Sequence, residues 1–179
     1  LRWIMELGRV NICLEVLMMS SHVTLPREGH LQQVFHIFSY LDKYHDTEFV
    51  FDPSDPIIDE AQFERKDWTC SEYGHVDGEE VLPENMPASR GLGFTMRAKV
   101  DAGHASDTVT RRSRTGFLVW INSALIHWFS KKQNSVKSSS HGSEFIALKQ
   151  CCEYIIGLRY KLRMMGIPVD GPTYIEGDN

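Results

Sequence analysis

Apolar positions in the first third of the chain recur at helical spacing. In residues 3–19 they fall three and four apart, and a second stripe of this kind runs over 31–41 after Pro26. The run 48–51 that follows is typical of a short strand. Residues 1–51 are therefore predicted to form a helical pair with an edge strand.

The pattern changes to alternation after Gly93. Residues 94–100 alternate as one face of a strand that ends at Asp101, and the apolar runs 116–121 and 125–129 are separated by a short polar turn. Three antiparallel strands are the simplest interpretation.

A long helix and one further strand complete the pattern. Apolar residues recur three and four apart over 143–165, and Gly166 stands where this helix is expected to stop. Residues 172–178 then predict a strand parallel to the first, because a helix lies between the two. The predicted fold class is α/β, with a mixed sheet in the order β-β-β-α-β after a small helical segment.

Residues 52–90 differ from both flanks. They contain eleven acidic residues and four prolines but only three basic residues. We interpret this stretch as an acidic linker or insertion between the helical segment 1–51 and an α/β domain over 91–179.

Composition narrows the function classes. The formal net charge of −5 argues against a wholly basic nucleic-acid binder, although a local basic patch remains compatible with it. The four cysteines lack the spacing of a zinc site and are expected to be reduced. With neither an apolar run that could span a bilayer nor a secretory signal pattern, the chain is predicted to be intracellular, without a membrane partner.

Three carboxylates are candidates for one site. Asp101 closes the first strand, Glu144 is expected in the first turn of the long helix, and Asp178 closes the last strand. Open α/β sheets usually carry their sites at the carboxyl ends of parallel strands, and carboxylate oxygens are the ligands that Mg²⁺ prefers. The alternative is plain structure, since an acid near a helix start and Asp at a strand end are both common.

Basic residues flank the predicted hairpin and could contact phosphates. The alternative is a solvated hairpin end. The candidates are Arg111, Arg112, Arg114, Lys131, Lys132 and Lys137.

Four segments resemble the ribonuclease H region of copia-type retrotransposons. KVDAGHASD (99–107) is similar to the family's SDADWAGD, and TRRSRTGF (110–117) to its DRKSTSGY. HWFSKKQNSVKSSSHGSEFIAL (127–148) is similar to SWSSKKQPTVALSSTEAEYIAL, and YIEGDN (174–179) to the strand ending in YCDN. The opening helices resemble the thumb and connection segment of the reverse transcriptase.

This resemblance implies a truncated ribonuclease H-like domain in a polyprotein that extends upstream and downstream. Asp101, Glu144 and Asp178 then become catalytic ligands of Mg²⁺ or Mn²⁺, and the substrate becomes the RNA strand of an RNA/DNA hybrid. No polymerase motif is present. Gly103 and Gly142 replace two acids of the family pattern, and a fourth carboxylate would lie beyond Asn179. The alternative is a catalytically silent remnant that binds nucleic acid or protein.

Overall fold

The computed structural model describes residues 1–63, 72, 74, 82–169 and 171–178. Much of the acidic segment 52–90, including Cys70, lies outside this description. The helices are α1 (Arg2–Glu6), α2 (Cys13–Ser20), α3 (Glu28–Lys43) and α4 (Ser140–Met164), and the strands are β1 (Met96–Gly103), β2 (Arg114–Ile121), β3 (Ala124–Lys132) and β4 (Thr173–Glu176). Short 3₁₀ turns lie at Val10–Ile12 and Glu60–Gln62.

The four strands form one mixed sheet in the order β3-β2-β1-β4. The β1–β2 and β2–β3 pairs are antiparallel, whereas β1 and β4 are parallel. The predicted α/β class, the three-stranded antiparallel unit and the parallel return strand are confirmed.

One face of the sheet is covered by α4. Met96 and Ala98 of β1 and Val119 of β2 pack with Cys151 and Ile155 of α4, and all five are buried. Side chains alternate between the faces of a strand, so the odd-numbered residues of β1, including Asp101, lie on the opposite face. Burial raises the pKa of the Cys151 thiol to about 12, which makes it unreactive at neutral pH.

The predicted first helix is interrupted. Gly8 has φ 130°, a backbone conformation that breaks a right-handed helix and that side chains rarely adopt. Helices α1 and α2 are therefore separate, and they build a second small core with α3 around Met5, Ile12, Val16 and Ile37.

The strand predicted over 48–51 is wrong. This segment forms no regular structure, and its aromatic side chains pack instead: the rings of Phe49 and Phe51 are 5.0 Å apart, and those of Phe49 and Trp128 are 5.7 Å apart. The apolar run 48–51 suggested a strand, but its residue Phe49 packs against Trp128 of β3.

His127 of β3 makes stability depend on pH. Its ring stacks on Tyr154 of α4 at 4.0 Å, and its Nε2 atom is buried without a hydrogen-bond partner. Burial lowers the pKa of His127 below its usual 6.5, because the charged ring would lose its water. Between that usual value and the lowered one, the unfolded chain takes up a proton that the folded chain does not.

We therefore expect the stabilising effect of neutral His127 to be complete above about pH 6.5 and to decline as the pH falls toward the lowered pKa. His127→Phe keeps the stacked ring and removes the titration. Thermal unfolding at pH 7.5 and at pH 5 should show a smaller loss of midpoint for the variant than for the wild type. Equal losses would contradict this role of His127.

Candidate functional site

The parallel pairing of β1 with β4 brings two of the three predicted carboxylates together. Lys99 opposes Glu176 in the strand register, and their side chains form an ion pair of 3.0 Å. Asp101 lies two residues after Lys99, and Asp178 lies two residues after Glu176. Both are exposed, as a cation ligand at the surface has to be.

Asp101 and Asp178 line the same cleft of about 930 Å³. The cleft lies between α2 and the sheet face opposite α4, and Leu14, Met18 and Trp128 are among its apolar walls. Its ionisable lining includes Glu15, Lys99, Asp107, Arg114, Lys132 and Glu176. Acids therefore outnumber bases, and the charge of the cleft favours a cation over a bare anion.

Glu144 is not among the residues that line this cleft. Helix α4 starts at Ser140, earlier than expected, and its first turn contains no acid, so the prediction that Glu144 lies in that turn is wrong. Ser139 takes the N-cap position and accepts a hydrogen bond from the Gly142 amide at 3.2 Å. Within the described ranges, no three Asp, Glu, His or Cys side chains are grouped closely enough to hold a metal.

A buried polar cluster joins the start of α4 to the sheet, and sequence reasoning missed it. The Gln133 Nε2 donates to Thr115 Oγ1 at 3.1 Å and to the Ser143 carbonyl at 2.9 Å. His104 Nδ1 lies 3.2 Å from the Ser143 hydroxyl. The alternation of side chains along β2 could have indicated this cluster, because Thr115 lies on the same face of the strand as the core residue Phe117. Ser143, the residue before Glu144, is thus held beside His104, the residue that follows β1.

The predicted basic residues divide into two groups. Arg114 and Lys132 oppose each other at the ends of β2 and β3, and both line the cleft. Lys132 Nζ donates to Asp107 Oδ2 at 2.7 Å, and this contact holds the pKa of Asp107 far below its usual range. Partial burial lowers the pKa of Arg114.

The second group faces solvent. Arg111 and Arg112, in the turn before β2, and Lys131 of β3 are exposed, and no ion pair is found for them within the described chain. Lys137 is partly buried just ahead of α4. The exposed cations stand at the same end of the sheet as Asp101, because Gly103 of β1 pairs with Arg114.

The known protein to which this chain is similar is of a different kind from the one predicted. The chain is similar to "Secreted RxLR effector protein 161" of Plasmopara viticola, with 36% identity over 63 residues. The match covers 35% of this chain and 44% of that protein, so the chain spans less than half of its relative. No known family matches the chain, and no solved structure matches it.

This comparison corrects three predictions. The assignment to a copia-type retrotransposon polyprotein is wrong, since the relative is named an effector and no retrotransposon family is found. The class names retrotransposon, reverse transcriptase and nuclease find no support for the same reason. The intracellular prediction is contradicted too, because the relative is named as secreted. The resemblance rested on four separate segments, and no family model matches the chain. Among the described residues, no helix is both long and apolar enough to cross a membrane.

Proposed function

We propose that the α/β unit is a ribonuclease H-like domain that binds nucleic acid through backbone phosphates and does not cut it. The duplex proposed as ligand is an RNA/DNA hybrid. The observation that carries the proposal is that Arg111, Arg112 and Lys131 are exposed at the end of the sheet where Asp101 also lies. Exposed cations of this kind attract phosphates by releasing counterions.

The start of α4 adds uncharged donors at this end of the sheet. Its first turn carries no acid, and Ser138, Ser139 and Ser140 precede or open it beside Lys137. The amide groups and the dipole of a helix N-terminus favour a phosphate. A second phosphate of the same strand could therefore be held here.

We further propose that a divalent cation binds between Asp101 and Asp178, which line one cleft. Mg²⁺ is commonly held by one or two carboxylates together with several waters, and the acidic balance of the cleft favours a cation. Asp101 and Asp178 would hold the Mg²⁺ or Mn²⁺, whose positive charge would offset the two acids and favour a phosphate at this cleft. The contribution of the protein is to hold Asp101 on β1 and Asp178 just beyond the end of β4, its parallel neighbour.

Binding without hydrolysis is favoured by the position of Glu144. Metal-assisted cleavage needs the metal, the attacking water and the leaving oxygen held together, which a third convergent ligand would secure. Glu144 is not among the residues that line the cleft, so the three carboxylates predicted from the sequence do not meet there as one ligand set. By analogy with the relative named as secreted, we also propose that this chain acts outside the cell in which it is made.

Salt dependence tests the phosphate contacts. The anisotropy of a labelled RNA/DNA hybrid should report an affinity that falls steeply between about 50 and 200 mM salt. The triple variant Arg111→Ala, Arg112→Ala, Lys131→Ala should bind more weakly and lower the log–log salt slope by about 2.7, since each lost contact removes roughly 0.9. The control variant Arg2→Ala, Lys43→Ala, Lys161→Ala removes equal charge elsewhere and should keep the slope. A slope shared by all three proteins would exclude this surface.

The same assay separates binding from cutting. Mg²⁺ should tighten hybrid binding by the wild type, and Asp101→Asn, Asp178→Asn should abolish that gain while the hybrid stays intact on a gel. Cleavage that needs Asp101 would replace the non-catalytic proposal with the metal-dependent hydrolase expected from the sequence. Absence of any gain with Mg²⁺ would remove the cation from the proposal.

A further inference from the structure

The sheet face that lines the cleft has a hollow at its centre. Gly116 of β2 lies between Asp101 of β1 and Ser130 of β3 in the strand register, and all three residues line the cleft. A Cβ atom at Gly116 would meet the carbonyl oxygens of Phe129 and Asp101 at 3.9 and 4.0 Å, which are ordinary contact distances. A glycine inside a strand often marks a place where a ligand approaches the backbone closely.

Apolar side chains border this hollow on both walls of the cleft. Leu118 of β2 and Trp128 of β3 are partners in the strand register and lie on the same face of the sheet as Gly116. Leu14 and Met18 of α2 line the other wall. The cleft volume of about 930 Å³ falls within the roughly 300–1,000 Å³ that is typical of small-molecule sites. The hollow can therefore hold an apolar body of the size of an aromatic ring.

The unpaired charges of the cleft are mostly negative. Two of its bases already have a partner, because Lys99 pairs with Glu176 at 3.0 Å and Lys132 pairs with Asp107 at 2.7 Å. Among the described residues that line the cleft, the carboxylates and guanidinium groups without an ion pair are those of Asp101, Asp178, Glu15 and Arg114. Charge complementarity therefore favours a ligand that carries a positive charge.

The negative and apolar parts of the cleft lie side by side. Asp101 is the strand partner of Gly116, and Trp128 is on the next strand. Neighbouring strands are about 4.8 Å apart, so Trp128 lies roughly 10 Å from β1. We propose that the cleft binds a small organic cation in which a short carbon chain joins an ammonium group to an aromatic ring. The ammonium group contacts Asp101 and Asp178, and the ring lies over Gly116 beside Trp128.

This ligand is independent of the proposed binding of nucleic acid. The ammonium group and the divalent cation proposed above use the same carboxylates and would exclude each other, so the amine is tested without Mg²⁺ and without nucleic acid. Failure of hybrid binding would leave the amine site in place, and failure of amine binding would leave the phosphate contacts in place.

Amide chemical shifts of the full 179-residue chain, titrated with phenethylamine at neutral pH, test the ligand class. The amine should bind with a dissociation constant of about 1 mM or below, which is within reach of so small a ligand, and should shift the amides of Gly116, Leu118 and Trp128. The uncharged 2-phenylethanol should bind at least tenfold more weakly, and the anion 3-phenylpropionate more weakly still. Binding of either control as tightly as the amine, or no amine binding at about 10 mM, would overturn the proposal.

Gly116→Val tests the hollow. A β-branched residue suits a strand, and its Cβ atom would make ordinary contacts, so the sheet should stay folded with an unchanged or higher melting temperature. The added methyl groups fill the hollow, so the affinity for phenethylamine should fall at least tenfold. Gly157→Val is the matched control, because Gly157 is on α4, which covers the other face of the sheet, and it should keep the affinity. A folded Gly116→Val variant that binds the amine as tightly as the wild type would contradict the proposed position of the ring.

Asp101→Asn tests the charge. The variant should bind phenethylamine at least tenfold more weakly and should bind 2-phenylethanol as the wild type does, because only the amine loses an ionic partner. Glu153→Gln removes a carboxylate from the exposed face of α4 and should change neither affinity. An equal loss for the two ligands in Asp101→Asn, or no loss for the amine, would rule out the contact between the ammonium group and Asp101.

Discussion

Met96→Ala should lower the free energy of unfolding by about 2–5 kcal/mol, the range for removing a large side chain from a packed core. Met96 is 2% exposed and is the largest fully buried side chain described in the chain. It lies at the start of β1, between Ile121 of β2 and Thr173 of β4 in the strand register. The cavity would open where the antiparallel and parallel halves of the sheet join.

Urea denaturation followed by circular dichroism measures this loss. Met165→Ala is the matched control, because it removes the same atoms from a side chain that is 74% exposed at the end of α4. Its effect should stay within about 0.5 kcal/mol. Similar losses in the two variants would show that Met96 is not part of a tightly packed core.

Arg159→Met should destabilise the protein by about 1.5–3 kcal/mol, because hydrogen bonds from a charged donor are lost. Arg159 is 9% exposed on α4, and its guanidinium donates to Thr173 Oγ1 at 3.1 Å and to the Gly171 carbonyl at 3.0 Å. These bonds fasten the helix to the start of β4. Without them β4 should pair less tightly with β1, and Asp178 should be held less firmly beside Asp101.

Two measurements separate the effects of this substitution. Urea denaturation gives the lost stability, and hydrogen exchange of the β4 amides gives the local loosening, which should exceed that of β2. Lys161→Met is the control, since Lys161 is exposed on the same helix. Under the proposed function, Arg159→Met should also weaken the gain in hybrid binding caused by Mg²⁺. Uniform exchange rates across the sheet would contradict a specific role for Arg159 at β4.

The sheet was predictable because its signals are local. Alternation over β1 and the polar turn between β2 and β3 specify strands from neighbouring residues alone, and the intervening helix requires β4 to return parallel. The convergence of Asp101 with Asp178 follows from that topology, since both stand at carboxyl ends of adjacent strands. The prediction of these two positions needed no knowledge of distant contacts.

The errors arose where tertiary contacts decide the outcome. Phe49 was predicted to lie in a strand because it is part of an apolar run. In the structure its ring packs against Trp128 without any strand pairing. Glu144 was predicted to lie in the first turn because the helix was expected to start at residue 143. Ser139 caps the helix, so α4 starts earlier, at Ser140. The buried Gln133 could not be recognised from its own position, because its partners come from a strand and a helix that are distant in sequence.

The class assigned from short motifs failed for a related reason. Each motif describes a strand end or a helix start, and such local solutions recur in proteins of different function. The relative named as a secreted effector shares 36% identity over one stretch, and the remaining part of this chain has no counterpart in that match.

The register of β4 has a consequence for the order in which this protein folds. Strands β1, β2 and β3 follow one another closely in the sequence. Strand β4, which pairs with β1, comes only after the whole of α4. Closing a long loop costs more entropy and is slower than forming a hairpin. The three-stranded unit should thus form early, and the pairing that creates the two-aspartate cleft should be among the last native contacts to form.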